Sequence, residues 1–308
     1  MDKKYYAAPM EGLTTWLWRR VHQEMFGGMD KYFTPFVSPN ANLSFQAKEL
    51  RELTANDGLR VVPQILCGRA DHFLWAVREL ADMGYDEVDL NLGCPSGTVT
   101  AKGKGAGLLR EPDRLEELLE GVFAGLPEGM SVSVKTRIGW TEDGEWSALL
   151  GIFNRYPISE LIVHPRVRQD FYSGKARREV FAWTRDHTVL PVAYNGDVDT
   201  PADAVSWDVP VMIGRGLLAD PALARRARGG PPASREELTA FLDALTDGYA
   251  AAYGDGPALR RMWELWAYLA AAFDGAEPYL KRIRKCKHLT DYRAAAAAVL
   301  ENCPMKQA

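Results

Sequence analysis

The feature that most constrains this chain is an alternation running from residue 4 to about residue 228. Short apolar runs of strand length are each followed by a longer stretch with helical periodicity. The strand-length runs are Lys4–Ala8, Tyr32–Val37, Arg60–Leu66, Glu87–Asn91, Ser131–Thr136, Glu160–Val163, Pro191–Tyr194 and Val209–Ile213. Helical spacing fills the intervals at Thr14–Phe26, Ser44–Leu53, Asp71–Met83, Pro112–Phe123, Glu145–Tyr156, Glu179–Asp186, Thr200–Ser206 and Asp220–Ala227. Eight strand–helix units are the ingredients of a (β/α)8 TIM barrel, which takes about 250 residues. An open doubly wound sheet uses the same units but places G-x-G-x-x-G after its first strand. Here Ala8-Pro9-Met10-Glu11-Gly12 stands in that place, so the expected class is α/β with a closed barrel.

The pattern breaks at Gly229-Gly230-Pro231-Pro232-Ala233-Ser234, where paired glycines and prolines end any helix. Ser234-x-x-Glu237 is a capping box, and from there the sequence reads only as helix: Arg235–Tyr253, Ala258–Phe273, Pro278–Lys287 and Asp291–Glu301. The expected division is a barrel over residues 1–230 and a small all-α bundle over 235–308. Leu259, Met262, Trp263, Trp266 and Leu269 recur at helical spacing and read as the core of that bundle rather than as a ligand site.

Composition excludes several classes. No run of about 18 apolar residues is present, so no membrane partner is expected. Met1-Asp2-Lys3-Lys4-Tyr5 lacks the apolar run of a secretory signal, and the expected location is the cytoplasm. The four cysteines form no C-x-x-C pair, and the spacing of Cys286, His288 and Cys303 fits none of the usual zinc patterns; no metal is expected. No protein partner is implied, and a monomer is the expectation. The formal net charge of −4 gives no global basic footprint, so any nucleic-acid contact must come from local clusters.

In a TIM barrel the chemistry lies at the C-terminal strand ends, and the unusual residues of this chain collect there. The first strand ends in Pro9-Met10-Glu11-Gly12, the third carries Gln64, and the fourth ends in Asn91-Leu92-Gly93-Cys94-Pro95-Ser96. Lys135-Thr136-Arg137, His164-Pro165-Arg166, Asn195-Gly196-Asp197 and Gly214-Arg215-Gly216 end the next four. A lysine inside a sheet is costly unless paired or functional, which singles out Lys135. Cys94 lies on a Gly-Cys-Pro turn rather than in an apolar run, unlike Cys67, which reads as inert. His164 is either a hydrogen-bonded structural residue or a cofactor contact. Glycines after the seventh and eighth strands, with Arg215, suit a phosphate held by backbone N–H groups. Together with Lys135 they point to a phosphorylated cofactor, with FMN the natural candidate.

These blocks resemble the ordered signature of the tRNA-dihydrouridine synthase family. They are Ala8–Gly12, Val88–Ser96, Val134–Trp140, Val163–Arg166, Asn195–Asp197 and Met212–Gly216, and Asn91-x-Gly93-Cys94-Pro95-Ser96 is the most specific. The helical tail resembles that family's RNA-binding domain. The resemblance implies reduction of a tRNA uridine to 5,6-dihydrouridine by FMN and NADPH, with hydride to carbon 6 and a proton from Cys94 to carbon 5. It implies that Pro9, Met10 and Glu11 pack on the flavin ring and that Gln64 bonds its polar edge. It places Lys135 and His164 at the ring's N1/O2 side, and Asn195, Gly196, Asp197, Gly214 and Arg215 at the phosphate. Asn91 would help orient the uracil. The chain departs from the family's pattern directly after Cys94-Pro95-Ser96, where Gly97-Thr98-Val99 stands in place of a long polar residue; Lys102 and Lys104 are candidate substitutes.

RNA binding needs cations, and Lys281-Arg282-Ile283-Arg284-Lys285-Cys286-Lys287-His288 is the densest cluster. Lys281, Arg282, Arg284 and Lys285 are therefore candidate tRNA contacts, with Arg166 a further one at the barrel mouth. Arg225-Arg226-Ala227-Arg228 and Arg260-Arg261 are secondary clusters. Two other readings stay open from the residues alone. A flavin barrel reducing a small pyrimidine, like a dihydroorotate dehydrogenase, leaves the cationic tail unexplained. An aldolase using Lys135 as a Schiff base leaves Cys94 and the Asn91 block unexplained.

Overall fold

The computed structural model describes residues 3–306. Its strands are β1 (Tyr5–Ala7), β2 (Lys31–Phe33), β3 (Val61–Val62), β4 (Gln64–Ile65), β5 (Glu87–Leu92), β6 (Ser131–Arg137), β7 (Leu161–His164), β8 (Val192–Asn195) and β9 (Val211–Ile213). All pair in parallel in the order β3-β2-β1-β9-β8-β7-β6-β5-β4. The two ends of that order, β3 and β4, are halves of one run separated by Pro63. Proline has no N–H to give the ladder, so the run splits there. Its first half pairs with β2 and its second with β5, which brings the sheet round into a barrel. The expected eight staves are therefore present, with the third broken at its proline.

Side chains alternate across each strand. On β5, Val88, Leu90 and Leu92 join the apolar layer shared with the surrounding helices, while Glu87, Asp89 and Asn91 have the opposite parity. Tyr6, Ala8, Phe33, Val62, Ile162, Ala193 and Met212 form a separate cluster inside the barrel. Polar residues at every second position of β5 and β6 thus reach the inside, and the register sets Asp89 beside Ser133 and Asn91 beside Lys135.

Of the expected helix Asp220–Ala227 only Leu223–Ala227 is helical, and a further short helix, Arg215–Ala219, precedes it, with Pro221 in the turn between them. Beyond the linker come Arg235–Tyr253, Asp255–Leu269, Glu277–Ile283 and Leu289–Asn302. Ser234 caps the first, its Oγ accepting from the Glu237 amide at 3.1 Å. The second starts earlier than its sequence suggests, because Pro257 in the first turn needs no N–H partner. The third stops at Ile283, and the following turn carries Cys286 into the core.

Leu259, Met262, Trp266 and Leu269 of the apolar stripe are buried core, as expected, while Trp263 is half-buried against its edge. The helical region packs directly on the barrel. Phe241 meets the rings of Trp18 and Phe26, and the hydroxyls of Tyr249 and Thr15 lie 2.7 Å apart. Among the described residues, no helix is long and apolar enough to cross a membrane.

Candidate active site

The strand ends open into one cavity of about 500 Å³. Pro9, Met10, Glu11, Gln64, Asn91, Cys94, Lys135, His164, Asn195, Gly196, Asp197, Gly214 and Arg215 all line it. Every cofactor position expected from the sequence is thus gathered at one mouth, together with Cys94 and Asn91. Arg166 and the tail cations are not part of its lining.

The Cys94 turn is held from two sides. Asn91 Oδ1 accepts the Gly93 amide at 3.0 Å and the Cys94 amide at 2.9 Å. From the other side, the Ala106 amide donates to the Cys94 carbonyl at 3.2 Å. Gly105 makes that approach possible. Its φ is +57°, and a Cβ there would lie 3.0 Å from the Cys94 carbonyl oxygen and 3.1 Å from the Cys94 Cβ. Gly105→Ala therefore adds a left-handed penalty of about 1–2 kcal/mol and pushes on the turn. We expect thermal unfolding to show a Tm lower by a few degrees, with product formation slowed by more than that loss of stability explains.

Burial pushes the Cys94 thiol above its ordinary value, against the opposing pull of Arg137 and Lys135. The group is a protonated thiol at neutral pH, suited to giving a proton. Cys67, by contrast, is buried outside the cavity and its Sγ donates to the Arg69 carbonyl.

Lys135 reaches the cavity from β6 and makes no hydrogen bond or ion pair with the described residues. Desolvation lowers its pKa to about 8, with Arg137 adding to the shift and Asp89 opposing it. His164 Nε2 lies 2.9 Å from Arg166 Nη1. A guanidinium only donates, so Nε2 accepts and the ring proton sits on Nδ1. Burial, then the charges of Lys135, Arg137, Arg166 and Arg215, hold His164 well below the usual histidine range. It is a neutral donor through Nδ1, which has no partner among the described residues.

Next to His164, across Arg166, Asp197 has φ +44° and a fully engaged carboxylate. It accepts from Arg166 Nη2 at 2.7 and 2.8 Å, Arg215 Nη2 at 3.0 Å and the Ala176 amide at 2.8 Å. Asp197 therefore braces the loop and leaves its backbone amide, with those of Gly196 and Arg215, without an acceptor among the described residues. Asn195 Nδ2 donates to the Met212 carbonyl, tying this loop to β9. Gly216 is a packing requirement, since a Cβ there would meet the Val198 carbonyl oxygen at 2.0 Å.

Arg166 is 1% exposed and its donors go to His164, Asp197 and the carbonyls of Ser173 and Gly174. It braces the Asp197 loop and lines a neighbouring cavity rather than the one that holds Cys94, a correction to its expected place at the barrel mouth. Lys104 is also committed, donating to Ser38 Oγ at 2.8 Å, while Lys102 is exposed.

The cavity thus offers open amides, with an uncommitted ammonium and imidazole N–H in the same lining. A family model for dihydrouridine synthase matches residues 6–303. The chain belongs to the dihydrouridine synthase family. A protein of Rhodobacter capsulatus named probable tRNA-dihydrouridine synthase is 32% identical over 229 residues, covering 72% of this chain and 69% of the relative. A tRNA-dihydrouridine(16) synthase of Cupriavidus necator is 31% identical over 301 residues, covering 87% of this chain and 92% of the relative. Among solved structures, histamine dehydrogenase from Rhizobium sp. 4-9 superposes with a TM-score of 0.56 at 12% identity, over 88% of this chain and 51% of that one. That likeness is one of fold.

Three more lining residues of this dihydrouridine synthase bear on the site: Tyr172 and Tyr268, which the sequence did not single out, and Arg137, named there only as part of its strand-end block. Tyr172 is 56% exposed and lies between the guanidiniums of Arg137 and Arg215, each 5.3 Å from its ring. Arg137 also donates to the Gly93 carbonyl at 3.0 Å, bracing the Cys94 turn from β6. Tyr268 comes from the helix Asp255–Leu269 and brings the helical region to the rim. Neither tyrosine carries a local sequence signal, because loop position and helix packing place them.

Proposed function

We propose that this dihydrouridine synthase reduces one uridine of tRNA, with FMN as its resident cofactor and NADPH as the source of the hydride. The observation carrying this reading is the meeting, in one cavity, of a protonated Cys94 thiol with the uncommitted Lys135 ammonium. FMN supplies hydride transfer from NADPH to carbon 6 of the uracil. Cys94 Sγ–H gives its proton to carbon 5 and recovers one from solvent, so NADPH, a proton and uridine yield NADP⁺ and dihydrouridine. Lys135 and the His164 Nδ1–H hold the polar edge of the flavin ring, where negative charge collects on reduction. The open amides of Gly196, Asp197 and Arg215 take the phosphate, and Gly214 leaves it room. Pro9, Met10 and Glu11 form the wall against the ring, and Gln64 and Asn91 line its other side.

The uridine must leave its stack to enter a cavity of this depth. The named relatives from Cupriavidus necator and Ralstonia nicotianae, the latter 32% identical over 235 residues, favour position 16. A tRNA substrate favours action in the cytoplasm. The test is incubation with NADPH and tRNA from a host without its own dihydrouridine, followed by mass-spectrometric mapping. Dihydrouridine at position 16 supports the reading. Turnover of free pyrimidines with no change in tRNA supports the small-molecule alternative.

The helical tail carries the best RNA contacts. Lys281, Arg282, Arg284 and Lys285 are exposed, and none forms an ion pair among the described residues, while Ile283 and Cys286 between them are buried. The Arg225–Arg228 cluster is spent internally: Arg225 pairs with Glu237, Arg226 with Asp220 and Arg228 with Asp30. Replacing all four tail cations with alanine should weaken tRNA binding at least about tenfold near physiological salt. The slope of log K against log salt should flatten, and NADPH-driven flavin reduction should hold its rate. Filter binding across a salt series measures this.

A further inference from the structure

Behind the Cys94 turn, a line of buried polar side chains runs along the inside of the barrel. Asp89 is 0% exposed and Gln64 is 1% exposed. A carboxyl group buried there is costly unless its oxygens are satisfied. Asp89 Oδ1 accepts from Ser133 Oγ at 3.0 Å, and Oδ2 accepts from Gln64 Nε2 at 2.6 Å. Asn91 Nδ2 in turn donates to Gln64 Oε1 at 2.7 Å, and Asn91 Oδ1 accepts the Gly93 and Cys94 amides. The strand register sets up this line by pairing Gln64 with Asp89 and Asp89 with Ser133.

The direction of every bond in the line follows from its ends. Two backbone N–H groups at the turn require an oxygen, so Asn91 must present Oδ1 to them. Its Nδ2 then faces Gln64, which must present Oε1. Gln64 Nε2 is left facing Asp89, which must accept. We propose that Asp89 is a positioning residue for the proton transfer: as terminal acceptor it fixes the orientation of both amides and so holds the Cys94 turn. The proposal rests on Cys94 as proton donor.

Burial pushes Asp89 up to about 7, against the hydrogen bonds from Gln64 and Ser133. A proton on Oδ1 leaves Oδ2 free to accept from Gln64, because Ser133 Oγ can turn to the Val88 carbonyl, 3.3 Å away. Asparagine can do the same, with its oxygen toward Gln64 and its amide nitrogen toward Ser133. Leucine cannot.

The test compares Asp89→Asn and Asp89→Leu as flavin-loaded proteins. One readout is hydrogen exchange at the Gly93 and Cys94 amides. The other is the two half-reactions, NADPH-driven flavin reduction and its reoxidation by tRNA lacking dihydrouridine. Asp89→Leu should expose both amides to exchange at least about tenfold faster and slow reoxidation at least about tenfold, with flavin reduction within about twofold of wild type. Asp89→Asn should restore amide protection and slow reoxidation less than about threefold. Protection retained in the leucine variant overturns the proposal, as does protection lost in the asparagine variant, which still reports if the leucine variant fails to fold. Amide exchange is independent of turnover, so failure of Cys94 as donor is seen separately, as full activity in Cys94→Ala.

Discussion

Cys94→Ala should give a yellow protein that NADPH reduces at close to the wild-type rate and that forms dihydrouridine at least about 100-fold more slowly. The split between the two steps is the informative part. Flavin reduction needs the ring held and the mouth open, and Cys94 contributes to neither. Proton delivery to carbon 5 needs a group on the substrate side that is still protonated at working pH, and burial keeps the Cys94 thiol in that state. Its fixed place comes from Asn91 on one side and the Ala106 amide on the other, both of which bond backbone atoms and survive the substitution. Rate loss should therefore report the missing proton rather than a displaced loop. Because the thiol pKa is raised, wild-type product formation should hold through neutral pH and fall only as the thiol ionises above its ordinary range. Stopped-flow absorbance for the flavin and mass spectrometry for the product separate the steps.

Lys135→Met should weaken FMN binding at least about tenfold and make the flavin harder to reduce. An ammonium with no partner in the protein is free to bond the ring, and a charge-assisted hydrogen bond is worth about 1.5–3 kcal/mol. The part of that stabilisation specific to the reduced, anionic ring appears as a lower potential in the variant, about 30 mV for each 1.4 kcal/mol in a two-electron couple. Methionine keeps the length and apolar stem, so the change isolates the charge. With a pKa near 8 in the open cavity, the charged form dominates below that pH and is lost above it. FMN affinity of the flavin-free protein should fall as pH rises through this region, and the methionine variant should lack that fall. Fluorescence titration and spectroelectrochemistry measure the two effects.

Much of this site was legible because barrel chemistry follows strand parity. Lys135, Asn91 and Gln64 are polar residues in apolar strands, and only the inside of a barrel makes sense of them. The glycine loops after the last two strands were legible for a related reason: at Gly196 and Gly216 a side chain would press on Ala176 and collide with the Val198 carbonyl. Arg166 was misplaced because sequence shows a cation at a strand end but not the carboxylate that claims it, and Asp197 arrives from the next strand. Asp89 stood within a recognised block, yet its part depends on Gln64 and Ser133, which only the register brings beside it. Pro63 accounts for the broken third stave, and Pro221 for the late start of the last barrel helix.

The most direct test of the account is an anaerobic one. Flavin-loaded enzyme is reduced with one equivalent of NADPH and mixed with tRNA lacking dihydrouridine, while flavin absorbance is followed and the RNA is quenched for mass spectrometry. The account predicts that absorbance returns in step with one dihydrouridine formed per flavin, at a single position. Flavin that stays reduced in the presence of this tRNA but is reoxidised by a free pyrimidine would contradict it.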